Sequence, residues 1–68
     1  MSRLMTPGQR IKIRMQKLEM TEEQLAEAIG MDPAHLLYIV NGQMIANDAQ
    51  RTEISHALRV KTSAIWTH

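Results

Sequence analysis

The sequence predicts an all-α protein, a compact bundle of five short helices, and three observations predict it. Two cap-then-proline pairs, Thr6-Pro7 and Asp32-Pro33, mark helix starts: the cap oxygen accepts from a free backbone amide, and proline at the first helical position lacks the amide that would go unpaired. Apolar side chains recur at Ile11, Met15 and Leu18, the i, i+4, i+7 spacing of one buried helical face. The β-branched residues are scattered with no sustained alternation, so no strand is expected.

Each element has its own punctuation. The first helix runs from about 7 to 18. Thr21, followed three residues later by Gln24, forms a capping box and opens a second helix over about 22 to 28. Gly30 supplies the positive φ of a tight exit. Asp32 caps a third helix over about 33 to 40, which stops at Asn41-Gly42, a pair tolerant of left-handed backbone. Asn47 or Asp48 caps the fourth, with Ile54, Ala57 and Leu58 facing inward. A short final turn after Thr62 presents Ile65 and Trp66.

At 68 residues the chain makes a single domain, with residues 1–5 expected as a flexible arm and residues 61–68 as a short C-terminal helix and dimer contact. A core this small supplies only about 3–5 kcal/mol, which favours self-association or a bound partner. With no cysteine there is neither a disulfide framework nor a thiolate metal site. His35, His56 and His68 share no zinc-ligand spacing, so neither metal nor cofactor is expected. No apolar run approaches the roughly 20 residues of a membrane span, and the N-terminus has no secretory apolar core, so the expected location is the cytoplasm. An enzyme is not expected: Ser55 and His56 are neighbours that point to different helical faces, and no acid-base cluster stands elsewhere.

The net charge of +1 conceals segregation. Residues 1–18 hold Arg3, Arg10, Lys12, Arg14 and Lys17 and no acid, whereas residues 19–47 hold Glu19, Glu22, Glu23, Glu27 and Asp32 and no base. A basic segment of this kind is a candidate phosphate footprint, although such a run is more often a solvated helix face.

The segment from Glu22 to Asn41 is the most informative. Two short helices crossing at about 90–120° need a small residue where they touch and a flexible one at the bend. Ala26 and Gly30 fill those roles, and Leu25, Ile29, Met31, Leu36 and Ile39 fall where all five point into a shared core. Asp32, Ala34, His35, Leu37 and Tyr38 are left outside.

On these residues the stretch "MTEEQLAEAIGMDPAHLLYIVNG" resembles the helix-turn-helix of the phage Cro and repressor type, the XRE-like family. The likeness extends to "GQRIKIRMQKLEMT" as first helix and "TEISHALRVKTSAIW" as fourth and fifth, covering roughly residues 6 to 66. It implies a lambda-repressor-like bundle and a sequence-specific DNA-binding regulator of bacterial or phage origin, with the third helix in the major groove of double-stranded DNA. The base-reading positions it implies are Pro33, Ala34, His35 and Tyr38, with Asp32 at the helix start. Glu22, Asn41 and Gln43 fall at the phosphate-facing positions, helped by cations such as Arg10 and Arg14. It further implies a homodimer on a palindromic operator, two third helices lying about 34–36 Å apart. Ile65 and Trp66 are the expected two-fold contact, with Leu37 and Val40 an apolar side of the third helix open to a dimer mate or another protein.

The occupants depart from the family pattern. No Arg, Lys, Asn or Gln stands at a reading position within the third helix, although bidentate pairs from such residues are worth about 1–3 kcal/mol of discrimination each. Glu22 and Glu23 sit at a helix start that elsewhere receives phosphate, and there they either stabilise the helix dipole or repel DNA. Several family members pair an Arg on the first helix with a Glu ending the third; Met15 and Val40 replace both and read as core. These departures raise a second reading, an antirepressor-like protein-binding antagonist using Leu37, Tyr38 and Val40. A third, an antitoxin-like regulator, rests on the likeness of "NGQMIANDAQRTEISHALRV".

Overall fold

A computed structural model describes residues 5–66, and among these the structure is all-helical. Five helices follow in order: α1 (Pro7–Lys17), α2 (Glu22–Ile29), α3 (Pro33–Val40), α4 (Asp48–Ala57) and α5 (Thr62–Ile65). Of the expected N-terminal arm only Met5 lies within the described residues, and the chain end at 67–68 lies outside them.

Reciprocal caps start three of the helices. Thr6 Oγ1 accepts from Gln9 N at 3.1 Å while Gln9 Oε1 accepts from Thr6 N at 2.9 Å. Thr21 and Gln24 do the same for α2, and Asn47, rather than Asp48, does so with Gln50 for α4. Thr6 with Gln9 and Asn47 with Gln50 obey the same three-residue rule as Thr21 with Gln24. Asp32 Oδ1 caps α3 by accepting from Ala34 N at 2.8 Å.

The exits are equally uniform. After each of α1 to α4 the chain turns through one left-handed residue, and the next amide reaches back five residues: Met20 N to Met15 O, Met31 N to Ala26 O, Gln43 N to Tyr38 O and Val60 N to Ser55 O, all at 2.8–3.0 Å. Gly30 and Gly42 serve two of these exits at φ 69° and 79°, but Glu19 and Arg59 serve the others at φ 53° and 62°. Asn41 stays right-handed, so only Gly42 of the Asn41-Gly42 pair takes the turn.

Ile11, Leu25, Leu36, Ile54, Leu58 and Ile65 are fully buried, joined by Met15, Ala26, Ile39, Val40 and Ala46. Met15 and Val40, the positions of the family's charged pair, are both buried in this core. Ile29 and Met31, expected at the centre, are only half-buried on its margin. Ile29 ends α2 beside Ala57 and His56 of α4, and Met31 follows the left-handed turn, so neither is covered on all sides.

Helix α3 packs between α1 and α2, α4 joins α2 to α5, and α5 closes against α1. The tightest approach is between α1 and α3. A Cβ built on Gly8 would overlap the Val40 carbonyl, lying 2.7 Å from its carbon and 3.2 Å from Val40 Cα, so only glycine allows this contact.

Candidate nucleic-acid interface

Because α3 buries Leu36, Ile39 and Val40, its opposite side faces solvent. Pro33, Ala34, Leu37 and Tyr38 are exposed there, Leu37 by 39% and Tyr38 by 48%. His35, expected outward with them, is half-buried. Across from Pro33, Ala34 and Leu37 stand Thr21, Glu22 and Glu23 at the start of α2, and the six residues line an open groove of about 390 Å³. The crossing of α2 and α3 therefore does what the spacing of Ala26 and Gly30 predicts: Ala26 is fully buried and Gly30 turns the chain.

The turn after α3 is held close to the helix. Asn41 N donates to Leu37 O at 2.9 Å, and the amides of Gln43 and Met44 both donate to Tyr38 O, at 2.8 and 3.2 Å. Asn41 and Gln43 are exposed on this braced turn.

The cations of α1 divide between two sides of that helix. Lys12 lines a hollow of about 310 Å³ with Met15, Gln16, Met20, Thr21 and Glu22, beside the start of α2. The sequence expectation of Arg10 and Arg14 passes over Lys12, whose signal is its position one residue after Ile11 and three before Met15. Arg10 and Arg14 lie elsewhere. Arg10 Nη1 donates to Ile65 O at 3.1 Å and Arg14 Nε donates to Leu58 O at 2.9 Å, so both guanidinium groups are tied to the carbonyls that end α5 and α4. At about 100° per residue they stand roughly 120–160° round α1 from Gly8, the residue that meets α3. Their backbone-holding role finds no support in this placement.

Nor do the expected contact residues share one surface. Val40 and Ile65 are buried within the monomer, exposed by 6% and 2%, because each fills the space between α1 and its neighbour, so neither is available to a partner. Trp66 is half-buried against the core, with the Arg51 guanidinium 5.9 Å from its ring centroid and Arg51 Nε donating to Ala46 O. Beside it, Met44 and Ile45 carry an apolar surface, Ile45 being 87% exposed, and with Trp66 they line a groove of about 290 Å³. Ile45 has no periodic signal in the sequence, being a lone isoleucine in a loop.

The Helix-turn-helix family profile matches residues 11–65, from the middle of α1 to the end of α5. The chain belongs to the Helix-turn-helix family. Its match spans all of the Cro and repressor-type domain beyond the first turn of α1, and the family is one of DNA-binding transcription regulators rather than enzymes. No curated protein and no solved structure matches the chain. In this Helix-turn-helix domain, α2 and α3 form the motif and the braced turn at Asn41 to Met44 follows it. No described helix is long and apolar enough to cross a membrane.

Proposed function

We propose that the protein is a sequence-specific regulator that binds a two-fold DNA site as a homodimer, with α3 lying in the major groove. The observation that carries this reading is the outward row of Pro33, Ala34, Leu37 and Tyr38 on a helix whose other side is core. Tyr38 offers a single hydroxyl to a base edge, His35 a partly sheltered imidazole, and Ala34, Pro33 and Leu37 an apolar approach to thymine methyls. Asn41, Gln43, the amide of Glu22 and the Lys12 ammonium hold the phosphates. Readout by so few polar groups leaves a large share of specificity to DNA shape.

Trp66, with Met44 and Ile45 alongside, is the proposed two-fold contact, since an exposed apolar cluster around an indole is the kind of anchor that dominates small interfaces. The test is titration of the protein against duplex DNA over a salt series. Counterion release predicts a log–log slope of about −0.9 for each phosphate neutralised. Selection from random duplexes then recovers half-sites about one helical turn apart.

One observation favours a second reading, that of a protein-binding antagonist: Leu37 and Tyr38 are apolar or amphipathic, and the groove beside Leu37 is rimmed by Glu22 and Glu23. Absence of any complex with duplex at about 50 mM salt, where phosphate contacts are strong, selects this alternative.

A further inference from the structure

Helix α1 carries a second surface that takes no part in the DNA reading above. Arg10, Ile13, Arg14 and Lys17 face α5 and its approach, and together with Met5, Val60 and Ala64 they line a groove of about 220 Å³ whose base is closed by the buried Ile65. None of the lining residues is acidic. The floor is apolar, Ile13 being 39% exposed and Met5 also exposed. Arg10, Arg14 and Lys17 follow an i, i+4, i+7 spacing, so the three cations form a row about 10 Å long beside that floor. Val60 is itself flanked in the chain by Arg59 and Lys61, both exposed.

The two arginines are pre-positioned. Each spends one nitrogen on a helix-end carbonyl, Arg10 Nη1 on Ile65 and Arg14 Nε on Leu58, which fixes the guanidinium plane while its remaining N–H groups stay free of any other hydrogen bond among the described residues. A held guanidinium loses less freedom when it meets a carboxylate and presents a fork that carboxylates match. An apolar trough edged by a row of such forks is complementary to a helix carrying apolar side chains on one face and carboxylates beside them.

We propose that the α1–α5 groove is a docking site for an acidic amphipathic helix of a partner protein, engaged while α3 remains free for DNA. The groove and the α2–α3 groove have no lining residue in common, so neither ligand draws on a side chain that the other uses. A concave apolar floor is of no use to a phosphate backbone, and its concavity suits a ridge of side chains better than a flat lipid surface.

The probe is a fluorescent synthetic helix of about four turns with Glu at i, i+4 and i+7 and Leu between, the helix-in-groove pattern; a control replaces each Glu with Gln. Anisotropy with the full chain, without DNA, is expected to give saturable binding to the Glu peptide, with shifts in amide spectra at Ile13, Lys17 and Ala64. The Gln peptide is expected to bind at least about tenfold more weakly, since complementary charge sets the choice of partner. Lys17→Glu and Ile13→Ser, both at exposed positions, are expected to weaken the Glu peptide about five- to tenfold each, and thermal melts report whether each variant stays folded. Should Ile13→Ser unfold, Lys17→Glu alone carries the comparison.

Adding duplex DNA is expected to leave peptide affinity unchanged within about twofold, because the sites do not overlap. Four results with the peptide overturn the proposal: no saturable binding, equal binding of the Gln peptide, indifference to Lys17→Glu, or displacement of the peptide by duplex, which makes the groove a phosphate contact. Binding of anionic vesicles that Lys17→Glu abolishes, without peptide binding, assigns the surface to membrane and also overturns it. Failure of DNA binding in a separate titration leaves these readouts untouched, so the two proposals fail independently.

Discussion

Gly8→Ala places one methyl group where α1 meets α3, and the structure sets the size of the penalty. The new Cβ would overlap the Val40 carbonyl oxygen and stand 2.7 Å from the carbonyl carbon, where ordinary contact begins at 3.4 Å. Relief requires the two helices to part by at least about 0.7 Å, and the obstacle is backbone in the last turn of α3, which cannot rotate away. Overpacking of this kind costs about 1–3 kcal/mol. The helical preference of alanine over glycine returns at most about 1 kcal/mol. A backbone collision lies at the high end of the range, so the expected net loss is about 2 kcal/mol, a large part of the roughly 3–5 kcal/mol such a core supplies. The melting temperature, followed by circular dichroism, should fall by at least about 8 °C, since each kcal/mol shifts a domain of this size by about 4–8 °C. Because α3 is displaced, DNA binding should weaken even well below the melting point. A Gly8→Ala protein melting within about 2 °C of the parent would falsify the close approach itself.

Further outcomes follow from the same geometry. Arg59→Gly relieves a left-handed non-glycine residue and should raise stability by about 0.5–1 kcal/mol, whereas Gly30→Ala, which meets no atom within 4 Å but inherits φ 69°, should lower it by about 1 kcal/mol; urea melts giving both the same sign contradict the account of the helix exits. Tyr38→Ala combined with Leu37→Ala should reduce duplex affinity with the thermal melt little changed, because both side chains are exposed; DNA binding left intact, together with loss of a protein partner, favours the antagonist reading. Ile45→Asp should shift sedimentation toward monomer without unfolding, and a dimer that survives both this change and Trp66→Ala is built elsewhere. Glu22→Gln with Glu23→Gln should tighten DNA binding, measured at fixed salt, by removing two negative charges from the edge of the α2–α3 groove; weaker binding would mean the carboxylates hold the helix start in place.

How far the sequence discloses the molecule depends on which physical signals are local. Helix starts are local, so Thr6-Pro7, Thr21 with Gln24 and Asp32-Pro33 locate α1, α2 and α3 within a residue or so. The left-handed exits at Glu19 and Arg59 are hidden, because tertiary packing imposes a backbone state that glycine would have announced. Gly8 is hidden for another reason: it lies in the first turn of a helix, and its need arises from Val40, 32 residues later. Within the candidate site, the outward placement of Ala34, Leu37 and Tyr38 follows from helical period alone. The half-burial of His35 does not, since a side chain at the rim of the period is decided by its neighbours. Arg10 and Lys12 show the same limit: the sequence reveals a basic helix, but which cation faces α2 and which faces α5 follows only from the packing.

That division of charge bears on how such a domain uses DNA. The start of α2, where backbone amides and the helix dipole favour an anion, already holds Glu22 and Glu23, so part of its capacity for phosphate is satisfied within the chain. Of the cations on α1, Lys12 alone lines a hollow with the start of α2, while Arg10, Arg14 and Lys17 line the groove against α5. Under the assignment proposed above, each domain has few phosphate contacts, and counterion release then predicts a shallow salt slope for a single domain. Pairing two domains offsets that weakness, because the second half-site is bound at the high effective concentration set by the first. In the homodimer proposed above, the exposed Ile45 and the indole of Trp66 have a functional reason to be apolar: their two-fold contact adds hold that the sparse chemistry of α3 does not supply from one domain.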